Sequence, residues 1–352
     1  MSAQHLTDPA LNLAAEYAGV ATRVPPIRVD YYRHDQYRQD HPPFDQDGIL
    51  AAVRFGENAA ENAVLRNDLP LCVNVQMRSL APGPEPLEVW HATGKVLAGQ
   101  QEHVRFACDD HYLFAVLERD EREFRGLDAA ADAVYAEIRR FQRSSGYPSL
   151  LRVWNFLDHI NQGSGDLERY RQFCIGRGRG LMDTPAERYP AASALGRQHT
   201  THKLQTVWLA ARQAGSALEN PRQMSAYRYP RVYGPTSPSF SRATLNVDGT
   251  LIVSGTASIV GHVSKHPGDA LAQLEETLKN LAALTSHAAA HNPKLHQAGL
   301  SHLFRVYVRH PEHAKRIAEQ LQRAVPGSRA IFLAADVCRS ELLLEIEALI
   351  QA

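Results

Sequence analysis

Two glutamates near the end of the chain have the spacing of side chains that share one face of a β-strand. Residues 336–350 read Asp-Val-Cys-Arg-Ser-Glu-Leu-Leu-Leu-Glu-Ile-Glu-Ala-Leu-Ile. If residues 342–350 form a strand, Glu345 and Glu347 point the same way from an otherwise apolar stretch. A carboxyl group in apolar surroundings has a raised pKa and can act as a general acid. The segment is therefore a candidate for acid catalysis.

The same segment also has simpler interpretations. Glu345 and Glu347 are also typical of a solvated sheet face, and periodicity alone favours this interpretation over the catalytic one. Cys338 lies seven residues before Glu345, has no histidine partner nearby in sequence, and is typical of a small buried apolar residue. Spacing by itself leaves the catalytic and the structural interpretations open.

A second candidate site lies in the middle of the chain, where arginine and tyrosine alternate. Residues 219–242 contain Arg222, Arg228, Arg231, Arg242, Tyr227, Tyr229 and Tyr233. Guanidinium and phenol groups suit a ligand that has both carboxylates and a ring. The four prolines of the segment equally indicate a linker with solvated arginines. A further charged cluster at 168–177 indicates either a functional loop or a charged surface helix.

The residue types that usually hold metals or nucleotides form no recognisable motif. The 17 histidines include the close pairs His199/His202 and His287/His291, but neither pair has an HExxH pattern or a clear third ligand. The glycines at 176, 178 and 180 lack the strand-then-helix context of a phosphate loop. We therefore expect neither a metal nor a cofactor.

Composition disfavours several classes of partner. The 352 residues include 38 Lys+Arg and 38 Asp+Glu, so the chain has no net attraction for nucleic acid. Its apolar runs are far shorter than the roughly 18 residues that span a bilayer, and residues 1–20 do not have the pattern of a secretory signal. The four widely spaced cysteines are typical of reduced thiols. We expect a cytoplasmic protein that binds neither nucleic acid nor a membrane.

The elements that must position the candidate residues occur twice along the chain. Strand, amphipathic helix and strand patterns at 111–117, 127–142 and 150–156 return at 249–255, 271–284 and 302–308. We therefore predict an α+β fold made by duplication of a β–β–α–β–α–β unit. A cleft between two such units is a common place for a ligand.

The expected organisation has three parts. Residues 1–65 are rich in Pro, Asp, Arg and Tyr and are predicted to be an irregular N-terminal leader. Residues 66–222 are predicted to form the first, more diverged unit. Residues 223–352 are predicted to form the second unit, which carries the two glutamates.

The second unit resembles the RidA/YjgF family in its Leu-Ile-Val-Ser-Gly-Thr-Ala run at 251–257, its helix at 273–284 and its Leu-Glu-Ile-Glu at 344–347. More narrowly, the chain is similar to the chorismatases in the motifs ENPRQ, SAYRYPR, YGP and SPSFSRA of 219–243, SGTASIVGH of 254–262, and DVCR and ELLLEIE of 336–347. This resemblance covers about residues 70–352. It implies two tandem RidA/YjgF-like (chorismate-mutase-like) domains, each a mixed sheet with helices packed on one face.

The resemblance also implies an activity. Chorismatases act on chorismate, a dicarboxylate with an enolpyruvyl ether, and release pyruvate. Glu345 matches the family's general acid, which protonates the methylene carbon of the ether. Tyr229, Tyr233 and Arg242 would hold the carboxylates and ring oxygens, with Arg171 as a further candidate. Hydroxybenzoate plus pyruvate has the same atoms as chorismate, so the reaction needs no metal or redox cofactor.

Two further residues bear on the product. A cysteine at the place of Cys338 resembles the members that form hydroxybenzoate, such as bifunctional 3-/4-hydroxybenzoate synthases, and Ala257 would be its partner in shaping the ring pocket. Arg329 lies near the place where RidA proteins keep a carboxylate-binding arginine, with a spacing to Glu345 that is one residue longer.

Three alternatives stay open. The protein could hydrolyse chorismate to a dihydroxycyclohexadienoate and pyruvate, or be an imine or enamine deaminase of the RidA kind. It could also bind a small carboxylate without converting it. RidA proteins are trimers with sites between subunits, whereas a tandem chain can contain such a boundary internally. We therefore expect a monomer, with a homo-oligomer as the alternative.

Overall fold

The computed structural model describes residues 24–33, 48–57, 69–182 and 184–352, which form three main β-sheets, a short hairpin and four α-helices. The helices are α1 Leu127–Ser144, α2 Arg169–Gly180, α3 Ala270–Ala289 and α4 Ala314–Ala324. The strands are β1 Val29–Arg33, β2 Ile49–Phe55, β3 Cys72–Val75, β4 Pro86–His91, β5 Leu97–Gln101, β6 Val104–Cys108, β7 Tyr112–Asp120, β8 Ser149–Asp158, β9 Ala191–Arg197, β10 Lys203–Ala211, β11 Ser216–Leu218, β12 Ala243–Leu245, β13 Leu251–Thr256, β14 Ile259–Val260, β15 Val263–Ser264, β16 Ser301–Val308, β17 Arg329–Ala334 and β18 Leu344–Gln351.

The two large sheets have the same topology. Their strand orders are β5-β6-β7-β10-β8-β9 and β11-β12-β13-β18-β16-β17. In each sheet one parallel pair, β8 with β9 or β16 with β17, joins otherwise antiparallel neighbours. The chain therefore contains a duplicated α+β unit, as the repeated pattern predicts.

The third sheet corrects one expectation. Strands β1, β4, β2 and β3 form a four-stranded sheet in that order, with the pairing directions of the last four strands of each large sheet. The prediction of an irregular leader over residues 1–65 is therefore wrong for β1 and β2, which are regular strands. Residues 1–23, 34–47 and 58–65 of that leader lie outside the described residues.

The strands of two sheets also lie on both sides of the expected domain boundaries. Strands β3 and β4 belong to the small sheet although they follow residue 65, and β11 joins the second large sheet although it precedes residue 223. The boundaries at 65/66 and 222/223 themselves stay predictions.

In the part of the chain that the structure describes, helices cover one face of each large sheet. The apolar side chains of α1 at positions 130, 134, 138 and 141 are all buried against the first sheet, together with Phe173 of α2. Leu274 and Leu281 of α3 and Ile317 and Leu321 of α4 pack in the same way against the second sheet. Amphipathic helices of this kind bury one apolar stripe and leave the other face to solvent. No helix among the described residues is long and apolar enough to cross a bilayer.

The uncovered faces of the three sheets meet in one central core. Its largest side chains include Trp90 of the small sheet, Phe114 and Trp154 of the first large sheet, and Tyr307 of the second. The rings of Trp90 and Trp154 meet edge to face with centroids 5.9 Å apart. Because the sheets share this core, strand ends of the two large units are brought side by side.

Candidate active site

A cavity of about 290 Å³ lies between the two large units. One wall comes from β9 and α2, another from β13, β18 and residues 338–341, and a third from the segment that connects the units. This volume is near the lower end of the roughly 300–1,000 Å³ of typical small-molecule sites. The cavity is lined by the seven residues for which the family resemblance implies a part in catalysis, substrate binding or the ring pocket: Arg171, Tyr229, Tyr233, Arg242, Ala257, Cys338 and Glu345. The other arginines and the other tyrosine named in the connecting segment, Arg222, Arg228, Arg231 and Tyr227, do not line it.

Strand β18 places its two glutamates inside the protein. The alternate residues Leu344, Ile346, Ala348 and Ile350 pack under the helices. Glu345 and Glu347 therefore point to the opposite side, where each is only 4% exposed. The interpretation of this face as solvated is wrong, because the first large unit covers it.

Glu345 is the carboxyl group at the cavity wall. Its Oε1 is buried without a hydrogen-bond partner. Burial raises the pKa of Glu345 to about 8, and the neighbouring Glu347 carboxylate adds to the rise, while Arg152 and Arg242 oppose it. Burial disfavours the charged form of a carboxyl group, so Glu345 holds its proton at neutral pH. A protonated carboxyl at a cavity wall can donate that proton to a bound molecule.

Glu347, two residues away, has a different environment. Its Oε1 lies 2.7 Å from Nη2 of Arg152, and its Oε2 accepts a hydrogen bond of 2.8 Å from the indole of Trp154. Arg305 approaches Oε2 at 3.7 Å. These contacts hold the Glu347 carboxyl group in place from two sides. The strand thus pairs an anchored carboxylate with an unanchored carboxyl group.

Arginines and tyrosines are in contact at the connecting segment, which supplies Tyr229, Tyr233 and Arg242. Nη2 of Arg242 donates to the hydroxyl of Tyr229 at 2.7 Å, and the rings of Tyr229 and Tyr233 are 5.4 Å apart. The guanidinium of Arg339 lies 3.9 Å from the centre of the Tyr233 ring. Such contacts fix planar groups that can pair with carboxylates. The interpretation of this segment as a solvated linker is therefore wrong at these positions.

Helix α2 contributes one face to the cavity. Arg171, Cys174 and Arg177 are spaced three apart and all line it. Arg177 is buried, and its Nε and Nη2 have no partner. Arg171 is already paired with Glu168, whose Oε2 lies 3.0 Å from its Nε. The Gly-Arg-Gly-Arg-Gly run is helical, and a side chain at Gly176 would collide with the backbone of α1 at 2.0 Å.

Cys338 and Ala257 lie together beside the cavity. Cys338 packs against a small apolar cluster formed by Ala257, Ile259, Val337 and Leu342. Burial, and after it the Glu345 carboxyl, raise the pKa of Cys338 to about 12. The sulfur is therefore a thiol at neutral pH, which suits shaping a ring pocket better than nucleophilic attack. Its role in the reaction stays a prediction.

Arg329 is not part of the site. Its Nη1 pairs with Asp30 of β1 at 2.9 Å, its side chain is 49% exposed, and it does not line the cavity. Arg329 therefore does not take the place of a carboxylate-binding arginine in this cavity. Among the described residues the group with metal-ligand side chains is Glu102, His103 and Glu137, which also lies outside the cavity.

Sequence reasoning missed several cavity residues. Arg177 and Cys174 could have been found from Arg171 by their helical spacing. Arg339 directly follows Cys338 in the DVCR motif, so the sequence did contain a signal for this cavity residue. Ser193 had no signal, because nothing local distinguishes it from the other serines of the chain.

Comparison with known proteins identifies the family. A family model described as chorismatase FkbO/Hyg5-like, N-terminal, matches residues 88–210. The 3-hydroxybenzoate synthase of Streptomyces hygroscopicus is 33% identical over 326 residues, which cover 88% of this chain and 93% of that protein. The chain belongs to the chorismatase family. It is therefore an enzyme, and the expected family is confirmed.

Two further chorismatases agree with this conclusion. One from Streptomyces rapamycinicus is 38% identical over 283 residues, which cover 75% of this chain and 81% of that protein. A crystal structure of a chorismatase matches the fold with a TM-score of 0.79 at 29% identity, covering 94% of this chain and 100% of the other. The α+β chorismatase fold is thus confirmed over nearly the whole chain.

Proposed function

We propose that the protein converts chorismate to 3-hydroxybenzoate, 4-hydroxybenzoate or both, and releases pyruvate, with Glu345 as the general acid. The observation that carries the proposal is a buried carboxyl group, with its pKa raised to about 8, at the wall of an arginine-lined cavity. The names of the relatives, 3-hydroxybenzoate synthase and chorismatase, support this substrate and product.

The first step is proton transfer from Glu345 to the methylene carbon of the enolpyruvyl ether. The O–H bond of the carboxyl breaks, the carbon–carbon π electrons form the new C–H bond, and positive charge develops at the ether carbon. Glu345 becomes a carboxylate, and the nearby Arg152 and Arg242 stabilise it because they favour the charged form. A neutral acid in the ground state and a stabilised anion afterwards are what general acid catalysis requires.

The later steps need only rearrangement and proton return. The bond between the ring carbon and the ether oxygen breaks, and its electron pair leaves with pyruvate. Loss of the proton on the neighbouring, hydroxyl-bearing carbon then makes the ring aromatic and gives 4-hydroxybenzoate. For 3-hydroxybenzoate, the hydroxyl oxygen first bonds to the carbon that the ether oxygen has left and its original C–O bond breaks, so the proton is lost from that carbon instead. In both routes the Glu345 carboxylate is the base that recovers the proton. The atoms of chorismate are thereby divided between hydroxybenzoate and pyruvate without any oxidant.

Substrate binding falls to the arginines and tyrosines of the cavity. Arg177, Arg242 and Arg339 line it, and each retains a buried guanidinium nitrogen without a partner. Two carboxylates on the substrate would satisfy these donors, and Tyr229 and Tyr233 would contact the ring and its oxygens. Arg171, already paired with Glu168, would act at the rim.

The deciding experiment is incubation with chorismate, with pyruvate release measured enzymatically and products separated by chromatography. The proposal expects pyruvate together with hydroxybenzoate. Pyruvate with a dihydroxycyclohexadienoate would indicate the hydrolase instead, and ammonia from an enamine without chorismate turnover would indicate a deaminase. Absence of pyruvate overturns the proposal.

We also propose that the active protein is a monomer, because all three walls of the cavity come from one chain. Size-exclusion chromatography with light scattering tests this, and a stable oligomer at assay concentration contradicts it. A cytoplasmic location stays a prediction from the sequence.

A further inference from the structure

Ser193 of β9 lies between Glu345 and a buried arginine, and the reaction steps above do not use it. It is buried and lines the cavity. Its Oγ accepts one hydrogen bond of 2.5 Å from Nη2 of Arg152 and another of 2.9 Å from the backbone N–H of Gly255. A serine oxygen has two acceptor positions, and both are taken. The hydroxyl proton must therefore be donated to another group.

The unpartnered oxygen of Glu345 is such a group. A methyl group placed on Gly255 would lie 1.8 Å from Oε1 of Glu345 and 2.8 Å from Oγ of Ser193, so the two oxygens share the space above this glycine. Oε1 is buried without a donor. Oε1 of Glu345 lacks a donor, and the Ser193 hydroxyl needs an acceptor. Substrate binding can bring these two groups together.

We infer that Ser193 is a positioning residue for Glu345, whose Oε1 accepts the Ser193 hydroxyl hydrogen bond in the substrate complex. The inference rests on the proposed function. With Oε1 occupied as an acceptor, the acidic proton sits on Oε2, from which it is transferred. The O–H bond of Ser193 stays intact throughout; only the Oε2–H bond of Glu345 breaks.

The hydrogen bond gains strength as the reaction proceeds. Glu345 becomes negatively charged during proton transfer, and hydrogen bonds to charged groups are stronger than those to neutral ones. Arg152 polarises the donor from behind and is itself held by Glu347 at 2.7 Å. Because Ser193 is fixed before the reaction, it stabilises the transition state more than the ground state.

The test is the pH dependence of kcat in Ser193→Ala. We expect kcat to fall roughly 10- to 100-fold with little change in KM, because a hydrogen bond to a charged group is lost. The alkaline limb of the kcat profile should move to higher pH, since losing a donor to the carboxylate raises the pKa of the acid. The other groups that face Glu345 are unchanged in the variant: Glu347, Arg152, Arg242, Cys338 and Tyr307.

Ser254→Ala is the matched control. Ser254 is buried at the same interface, accepts from the backbone of Ala192 at 2.8 Å and donates to that of Ser241 at 2.6 Å, but does not line the cavity. Its loss should lower stability and leave kcat and the alkaline limb unchanged. A merely structural Ser193 would behave in the same way.

Several results would overturn the inference. A kcat for Ser193→Ala within about threefold of wild type, or an unmoved alkaline limb, contradicts it. If the alanine variant does not fold, Ser193→Cys keeps the shape with a weaker donor, and full activity there contradicts it equally. If the wild type releases no pyruvate, both the proposed function and the role of Ser193 are wrong. If the wild type is active and the variant is unaffected, only the role of Ser193 is wrong.

Discussion

At the scale of single residues, the site depends on two glutamates that differ only in their neighbours. Glu347 meets Arg152, Arg305 and the Trp154 indole, whereas Oε1 of Glu345 has no partner. Burial raises the pKa of Glu345 to about 8. One residue type at two positions of one strand therefore gives one carboxyl group that is held by ionic and hydrogen-bonding contacts and one that is buried at the cavity wall with an unpartnered oxygen.

Glu345→Gln should fold normally and lose at least about 100-fold in turnover, because general acid catalysis contributes on that order. Its stability should depend on pH in a defined way. Between pH 4.5 and about 8 the unfolded chain ionises Glu345 while the native protein keeps it protonated, so wild-type stability falls as pH rises. The variant should gain relative to wild type across this window and keep a constant gain above it.

Urea unfolding midpoints measured from pH 4 to pH 9 check this prediction, with Glu312→Gln, at an exposed position, as a surface control. A wild-type level of turnover in Glu345→Gln would remove this residue from the mechanism. A stability difference independent of pH would contradict the raised pKa.

Cys338→Ala should change the ratio of hydroxybenzoate products and keep pyruvate release. The thiol borders the cavity and packs against the cluster that contains Ala257, so its removal opens space beside the ring without removing the acid. Chromatographic product ratios and the pyruvate rate measure the two effects. Cys108→Ala, a buried cysteine outside the cavity, is the control, and an unchanged ratio in Cys338→Ala counts against a steering role.

At the scale of elements, the site is built where β13 is interrupted. The pairing of β13 with β18 shifts register between Val253 and Thr256, which is the mark of a β-bulge. Gly255 lies in this bulge and gives the Glu345 carboxyl the room it occupies. The bulge also turns the N–H of Gly255 toward Ser193. A bulge beside a site commonly redirects side chains in this manner.

Gly255→Ala should reduce turnover far more than it reduces stability. The added methyl would meet Oε1 of Glu345 at 1.8 Å and its Cδ at 2.5 Å, so the carboxyl must move. We expect a loss of roughly 100-fold, the size that a misplacement of about 1 Å can cause. Gly48→Ala, where the new methyl meets nothing within 4 Å, is the control. Equal kcat in both variants would show that Glu345 tolerates displacement.

At the scale of the whole molecule, three sheets surround one core that contains a chain of buried charges. Glu88 of the small sheet accepts from Nε of Arg305 at 2.6 Å, Arg305 approaches Glu347, and Glu347 pairs with Arg152 of the first large sheet. All four side chains are buried. Each of the three sheets thus contributes to this network, and its member Glu347 lies two residues after Glu345 on β18.

Arg305→Met should destabilise the protein by about 3–5 kcal/mol, because removing one member of a buried ionic network leaves charged partners uncompensated. Arg329→Met removes an ion pair between the same two sheets at an exposed position, and should cost less than about 1 kcal/mol. Urea denaturation of both variants measures the difference. Similar costs for the two would mean that the buried network contributes no more than a surface pair.

Local patterns in the sequence determined the parts of the answer that depend on periodicity and motifs. The alternation of 342–350 indicates that Glu345 and Glu347 share one side of a strand, and the repeated strand and helix patterns indicate the duplicated unit. The motifs of 219–262 and 336–347 indicate the family. These features are encoded by residues that are close together along the chain.

Only the tertiary structure decided the environment of those residues. Burial of Glu345, the pairing of Arg329 with Asp30 and the position of Ser193 all depend on segments far apart in sequence. The small sheet was missed because β1 has only five residues, which lie in polar, proline-rich sequence, and because its partner β4 follows much later in the chain. The apolar run of β2, Ile49–Phe55, was a local signal for a strand, but its pairing with β4 also depends on distant sequence. A pKa and a cavity are properties of packed surroundings, and periodicity within one segment does not contain them.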